Sequence, residues 1–225
     1  FQGWSCRGEE KYKDMLMDIA TEEIGHVEML ATMVARLLEG APVEDQEAAM
    51  KKDPAIGAII SGMNPQHAIV AGLGPRPADS VGNPWSGAYI IASGNLLADF
   101  RANLNAESQG RLQVARIYEM IDDRGVKDLL SVLLARDSYH QNLWAQAVKE
   151  LEEKEGTILV PSTFPRNEER LDIAYDFYNF SEGDQSKEGS WAKGKALDGE
   201  GEYQWLSTPK VEGKAPKLDL SLIHI

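Results

Sequence analysis

Three stretches of this sequence carry apolar residues in steps of three and four, and every polar residue that breaks those stripes is a carboxylate or an imidazole. The first stripe is Leu16, Ile19, Glu23, His26, Leu30, Met33 and Leu37. The second is Leu96, Phe100, Leu104, Glu107, Val114, Ile117 and Ile121. The third is Val126, Leu130, Leu133, Asp137, His140, Trp144, Ala147 and Leu151. Such steps place all members of a set on one face of a helix. The pattern predicts helices over 9–38, 89–121 and 126–153. Gly40 and Pro42 stop the first, and the turn Asp122-Asp123-Arg124-Gly125 joins the other two. Three long helices with one apolar face each predict an all-α antiparallel bundle.

A carboxylate on an apolar stripe costs several kcal/mol unless it is partnered. A metal ion is one partner that serves several carboxylates at once. Glu23 and His26 are i and i+3, and Asp137 and His140 repeat that spacing on another helix, so each pair projects to one side. Glu107 stands alone on the helix between. A single Glu-x-x-His is usually a solvated pair. Two such pairs and a lone Glu, each embedded in an apolar stripe, favour a dinuclear site of the ferritin-like kind, in which four helices supply the ligands. Three of those helices are accounted for. Carboxylate with imidazole and no thiolate suits manganese or iron better than structural zinc, and leaves those two open. Glu22 and Glu28 flank the first pair off the stripe and are expected to face solvent.

The chain has 225 residues, 43% of them hydrophobic, which is enough to bury a substantial core. Its net charge of −13 argues against a nucleic-acid partner, since phosphate binding needs Lys and Arg in excess. No apolar run is long enough to span a membrane. The single cysteine, Cys6, cannot form an internal disulfide and points to a reducing, cytoplasmic compartment; it reads as a small apolar residue. Trp144 reads as core filling. Residues 55–60 form a short apolar stretch, and 64–85, with four prolines and three glycines, read as a long loop in which His67 has a structural role. Residues 1–155 are expected to form the bundle. Residues 156–219 carry no sustained period and read as an extended carboxy-terminal tail. The abruptly apolar 220–225 read as a non-native scar, and His224 is set aside with them.

Several segments resemble the manganese catalases. They are 17–28 with Glu23 and His26; the loop containing Asn64-Pro65-Gln66-His67 and Gly82-Asn83-Pro84-Trp85-Ser86-Gly87; Ser93-Gly94-Asn95-Leu96 leading to Asp99, Asn103 and Glu107; and Arg136-Asp137-Ser138-Tyr139-His140-Gln141. The order and spacing of these segments, over residues 1–185, are far more specific than any one motif. The resemblance implies a ferritin-like four-helix bundle, hydrogen peroxide as substrate, and its disproportionation to water and dioxygen at two manganese ions. It implies that Glu23 bridges the ions, His26 binds one, and Glu107 and His140 bind the other. It places one further ligand on a helix upstream of Phe1, so the chain alone is expected to be inactive or poorly folded. Asp137 stands where many members carry Glu; the resemblance gives that carboxylate an outer role with Glu23 and Glu107 in catalysis, orienting His140. Ala106 stands where some members carry arginine. The resemblance also implies calcium bound between subunits by Asp14 and Asp18 together with a tail loop containing Asn179, Ser181 and Gly183, in a homohexamer whose tails wrap neighbours. Alternatives are a di-iron ferroxidase or oxygen-activating protein on the same fold, and a structural relative of the spore coat.

Overall fold

The computed structural model describes residues 1–39, 78, 79, 81, 83–160 and 162–208. The short apolar stretch at 55–60, most of the loop at 64–85 with His67, and the 220–225 segment with His224 lie outside the described residues. The chain divides into two compact units, Phe1–Lys154 and Glu155–Ile225.

Among the described residues, the first unit carries three helices: α1 (Glu10–Glu39), α2 (Leu96–Met120) and α3 (Arg124–Glu155). α2 begins seven residues later than the periodicity predicts. Gly94 adopts φ +81°, a left-handed conformation natural to glycine, and ends any approaching helix. Asn95 then caps the new one: its side-chain oxygen accepts from the backbone N–H of Ala98 at 3.0 Å. The residues ahead of it form only a short 3-10 turn, Gly87–Tyr89. Asp123 caps α3 the same way, accepting from the N–H of Val126 at 2.9 Å.

The stripe on α3 is buried at every position named above. On α1 and α2 the stripe is buried or half-buried except towards the ends, where Leu37 and Ile117 are exposed and Tyr118 packs inward instead of Ile117. The buried side chains form two clusters. One contains Tyr12, Ile19, Leu97, Phe100, Trp144, Ala147 and Leu151. The other contains Val126, Leu130 and Leu133, with Met29, Leu30, Met33 and Val114 against them. α1 and α2 both run from the first cluster to the second, and α3 runs back. The expected antiparallel packing therefore holds for α3 against its two neighbours, while α1 and α2 are parallel and need the long connection between them. An aromatic ladder ties the three helices together at the first cluster. Tyr12 meets Phe100 edge to face at 5.7 Å, and Phe100 meets Trp144 at 4.9 Å; each such pair adds about 0.5–1.5 kcal/mol beyond area burial. Cys6 is fully buried in this cluster, and burial pushes its thiol pKa up, as suits a packing residue.

The second unit has a three-stranded sheet of β1 (Asp176–Tyr178), β2 (Lys193–Lys195) and β3 (Glu202–Leu206), in the order β1-β3-β2. β3 pairs parallel with β1 and antiparallel with β2. Arg166 anchors it, donating to Glu200 and to the Tyr175 hydroxyl at 2.7 Å each. Gly201 lies against the Tyr175 ring, where a Cβ would come within 2.2 Å of it. These strands, three to five residues long, are too short to show a period in the sequence.

Candidate metal centre

The carboxylates and imidazoles of the stripes meet in the layer between the two apolar clusters. α1 contributes Glu23 and His26 about one turn beyond Ile19. α2 contributes Glu107 between Leu104 and Val114. α3 contributes Asp137 and His140 between Leu133 and Trp144. His26, Asp137 and His140 are buried, and Glu107 is nearly so, with 12% of its side chain exposed.

Two sets of donor atoms come together here. Glu23, His26 and Asp137 form one, and Glu23, Glu107 and His140 the other; within each set the donor atoms lie within 4.8 Å of one another. Glu23 belongs to both. Its Oε1 is 2.7 Å from His140 Nδ1, and its Oε2 is 3.1 Å from His26 Nδ1. Glu107 Oε1 is 3.6 Å from His140 Nδ1. The two imidazoles lie nearly parallel, 28° apart, with centroids at 5.8 Å. Asp137 is placed in the set with Glu23 and His26 rather than in the set with His140.

Burial and mutual repulsion leave these carboxylates short of positive charge. The Glu107 pKa is pushed up to about 7, first by burial and then by the Glu23 charge. Asp137 is raised for the same two reasons. Oxygen donors and imidazoles crowded together, with no thiolate in either set, are the chemistry of a site for manganese or iron. The residues present therefore fit such ions.

Glu22 is only partly exposed and is held by a partner, contrary to the expectation from its place off the stripe. Both its oxygens are gripped by Arg136 of α3, at 2.5 Å from Nε and 3.0 Å from Nη2. That fork holds its carboxyl pKa down to about 2. Its oxygens also lie 3.6 Å from His26 Nε2 and 3.1 Å from His140 Nε2. A stripe drawn on one helix cannot reveal an arginine arriving from another. The available signal was the i,i+4 spacing of Glu22 and His26, repeated by Arg136 and His140. Glu28 is exposed, as expected.

Asp14 and Asp18 both lie exposed on α1, one turn apart. In the second unit, Asn179, Ser181 and Gly183 share one loop. The Ser181 hydroxyl donates within reach of both Asn179 Oδ1 and the Gly183 carbonyl, 3.0 Å each, and Asn179 Nδ2 donates to the same carbonyl at 3.0 Å. Among the described residues, no helix is long and apolar enough to cross a membrane.

Comparison with known proteins agrees with this geometry. The chain is 62% identical to the manganese catalase of Bacillus subtilis over 218 residues, 97% of this chain and 79% of that protein. It is 43% identical to the manganese catalase of Lactiplantibacillus plantarum over 219 residues, 96% of this chain and 79% of that protein. Its fold is similar to that of the crystal structure of KatB, a manganese catalase from Anabaena, with a TM-score of 0.60, 24% identity, and coverage of 92% of this chain and 82% of that one. The family model described as manganese containing catalase matches residues 1–223, and the chain belongs to that family.

Proposed function

We propose that this protein disproportionates hydrogen peroxide to water and dioxygen, two peroxides giving two waters and one dioxygen, at a pair of manganese ions held by Glu23, His26, Glu107 and His140. The observation that carries the reading is the membership of Glu23 in both donor sets, which makes one carboxylate available to two ions at once. Manganese, when bound, supplies the redox chemistry, taking two electrons from one peroxide and returning them to the next.

The residues of the chain do the rest. Glu23 would be shared by both ions, His26 would hold one, and Glu107 and His140 would hold the other. Asp137 lies beside Glu23 and His26 with a raised pKa, so its carboxylate can take and return a proton near the site. The apolar clusters flank the polar layer along the bundle, and a cavity lined by Glu23, His26, Glu107 and Asp137 opens onto it.

The test is metal content and oxygen release measured on one sample of the protein expressed from its gene, beside Glu23→Ala. About two manganese per chain, with oxygen release lost in the variant, supports the reading. Iron in place of manganese, or bound metal with no oxygen release, moves the protein to the ferroxidase or structural alternatives on the same ligands.

Calcium binding by Asp14 and Asp18 with the loop of Asn179, Ser181 and Gly183 is part of the same proposal, supported by their hard oxygen donors. So are a homohexamer with the carboxy-terminal unit at its interfaces, and a cytoplasmic setting that keeps Cys6 a thiol. Removing calcium with a chelator should then lower the oligomeric mass seen by light scattering.

A further inference from the structure

We propose that Trp144, Phe100 and Tyr12 form a conduit that carries single oxidising equivalents out of the metal cavity to the protein surface, where a soluble one-electron reductant of the ascorbate or thiol class quenches them. This inference rests on the peroxide chemistry proposed above. Two-electron turnover of peroxide gives only water and dioxygen. When peroxide takes one electron from a reduced transition ion instead of two, it splits into hydroxide and a hydroxyl radical, and that radical takes an electron from whatever lies nearest.

The first ring of the conduit stands at the cavity. Trp144 of α3 is buried and lines the same cavity, of about 710 Å³, as Glu23, His26, Glu107 and Asp137; its indole N–H bonds to the Glu107 carboxylate. Phe100 of α2, fully buried, meets Trp144 edge to face at 4.9 Å and meets Tyr12 of α1 the same way at 5.7 Å. The two oxidisable rings are therefore one aromatic ring apart. The last ring stands beside solvent. Tyr12 is itself buried, but its hydroxyl donates to Glu150 Oε2 at 3.3 Å, and the Glu150 side chain is 41% exposed. Lys11 holds the same oxygen at 2.7 Å and lies over the Tyr12 ring, 4.7 Å from its centroid. Packing explains three rings here but not the polar ends of two of them. In an apolar cluster a phenol or an indole adds a polar group that needs a partner, and phenylalanine would fill the same space without one.

Those polar ends suit the transfer. Trp144 gives one electron to the hydroxyl radical, which becomes hydroxide. The Trp144 radical cation takes one electron from Tyr12, and the phenol proton passes to Glu150, leaving a neutral tyrosyl radical. Burial keeps the Tyr12 phenol protonated beforehand, and the Lys11 ammonium holds the Glu150 carboxyl below its usual range, ionised and ready for the proton. Lys11 over the ring also disfavours a positive charge there, so electron and proton leave Tyr12 together. One electron from the soluble reductant, with the proton returned by Glu150, restores the phenol.

The test loads the metal-depleted protein with one equivalent of Fe(II) per chain and adds one equivalent of hydrogen peroxide. Samples frozen at once are read by electron paramagnetic resonance, and digests of the same samples by mass spectrometry. The unaltered protein should show a tyrosyl radical and little oxygen added to Trp144. Tyr12→Phe, which keeps the ring and its packing, should lose that signal, and oxygenation of Trp144 should rise several-fold. Glu150→Gln, which leaves all three rings in place but removes the proton acceptor, should lower the tyrosyl yield several-fold. Circular dichroism checks that each variant keeps its helices. A tyrosyl signal that survives Tyr12→Phe, a yield unmoved by Glu150→Gln, or oxidation confined to Met17 and Tyr89, which also line the cavity, overturns the proposal. The expected signals in a protein whose manganese-loaded form releases no oxygen from peroxide would instead sink the catalase reading and leave the conduit standing.

Discussion

Glu23 on α1 and His140 on α3 meet at 2.7 Å, Oε1 to Nδ1, across the interface of two helices that run in opposite directions. The other oxygen of the same carboxylate faces His26, on its own helix, at 3.1 Å. Loss of this one side chain therefore breaks both donor sets, whereas loss of His26 breaks one. Glu23→Ala is expected to reduce bound manganese to background. His26→Ala is expected to keep about half of it. Elemental analysis of the dialysed proteins distinguishes the two.

Glu107 gives the metal-depleted protein a characteristic pH dependence. Its folded pKa, about 7, lies above the ordinary 4.5, so the folded state keeps the proton longer than the unfolded chain. Its stabilising contribution is complete below about pH 4.5 and disappears as pH rises through about 7. Thermal melts should show a loss on the order of 2–3 kcal/mol over that window. Glu107→Gln should flatten it. Saturating Mn(II) should reverse the trend, because ligation needs the ionised carboxylate.

Phe100 is completely buried at the centre of the aromatic ladder, between Tyr12 of α1 and Trp144 of α3. Phe100→Ala should cost about 3–5 kcal/mol, a lost side chain plus the cavity it leaves. Lys11→Ala, which breaks a surface ion pair with Glu150, should cost less than about 1 kcal/mol. Urea denaturation of the two variants side by side gives the contrast.

Asp99, also fully buried, holds the entrance of α2. One oxygen accepts from the backbone N–H and hydroxyl of Ser93 at 2.7 Å each, and the other from the Ser5 hydroxyl at 2.7 Å. Asp99→Ala strands the Ser93 N–H, while the Ser5 and Ser93 hydroxyls keep the Gln2 and Asn95 carbonyls as acceptors, and should destabilise the first unit by about 1–3 kcal/mol. Proteolysis near 93–95 should accelerate in step with the loss.

The bundle and its candidate ligands were legible because each depends on a local period. Glu23, His26, Glu107, Asp137 and His140 all stand on faces that one helix defines by itself, and the structure brings all five together. What escaped depended on another element. Glu22 looked solvated because its partner, Arg136, is 114 positions away. The start of α2 was misplaced because apolar 89–92 continue the composition of the helix, while Gly94 and Asn95 stop it through backbone conformation and a single capping contact. The sheet of the second unit escaped because β1, β2 and β3 are short and pair non-sequentially.

The three-residue turn between α2 and α3, set against the long stretch separating α1 from α2, has a kinetic consequence. The α2–α3 hairpin closes a short loop and can form early, whereas α1 must be recruited across a far larger one. Glu107, Asp137 and His140 are then expected to assemble first, and Glu23, shared by both donor sets, last. The two donor sets are thereby left incomplete until the chain has almost finished folding. Pulsed hydrogen exchange should find the amides of α2 and α3 protected ahead of those of α1.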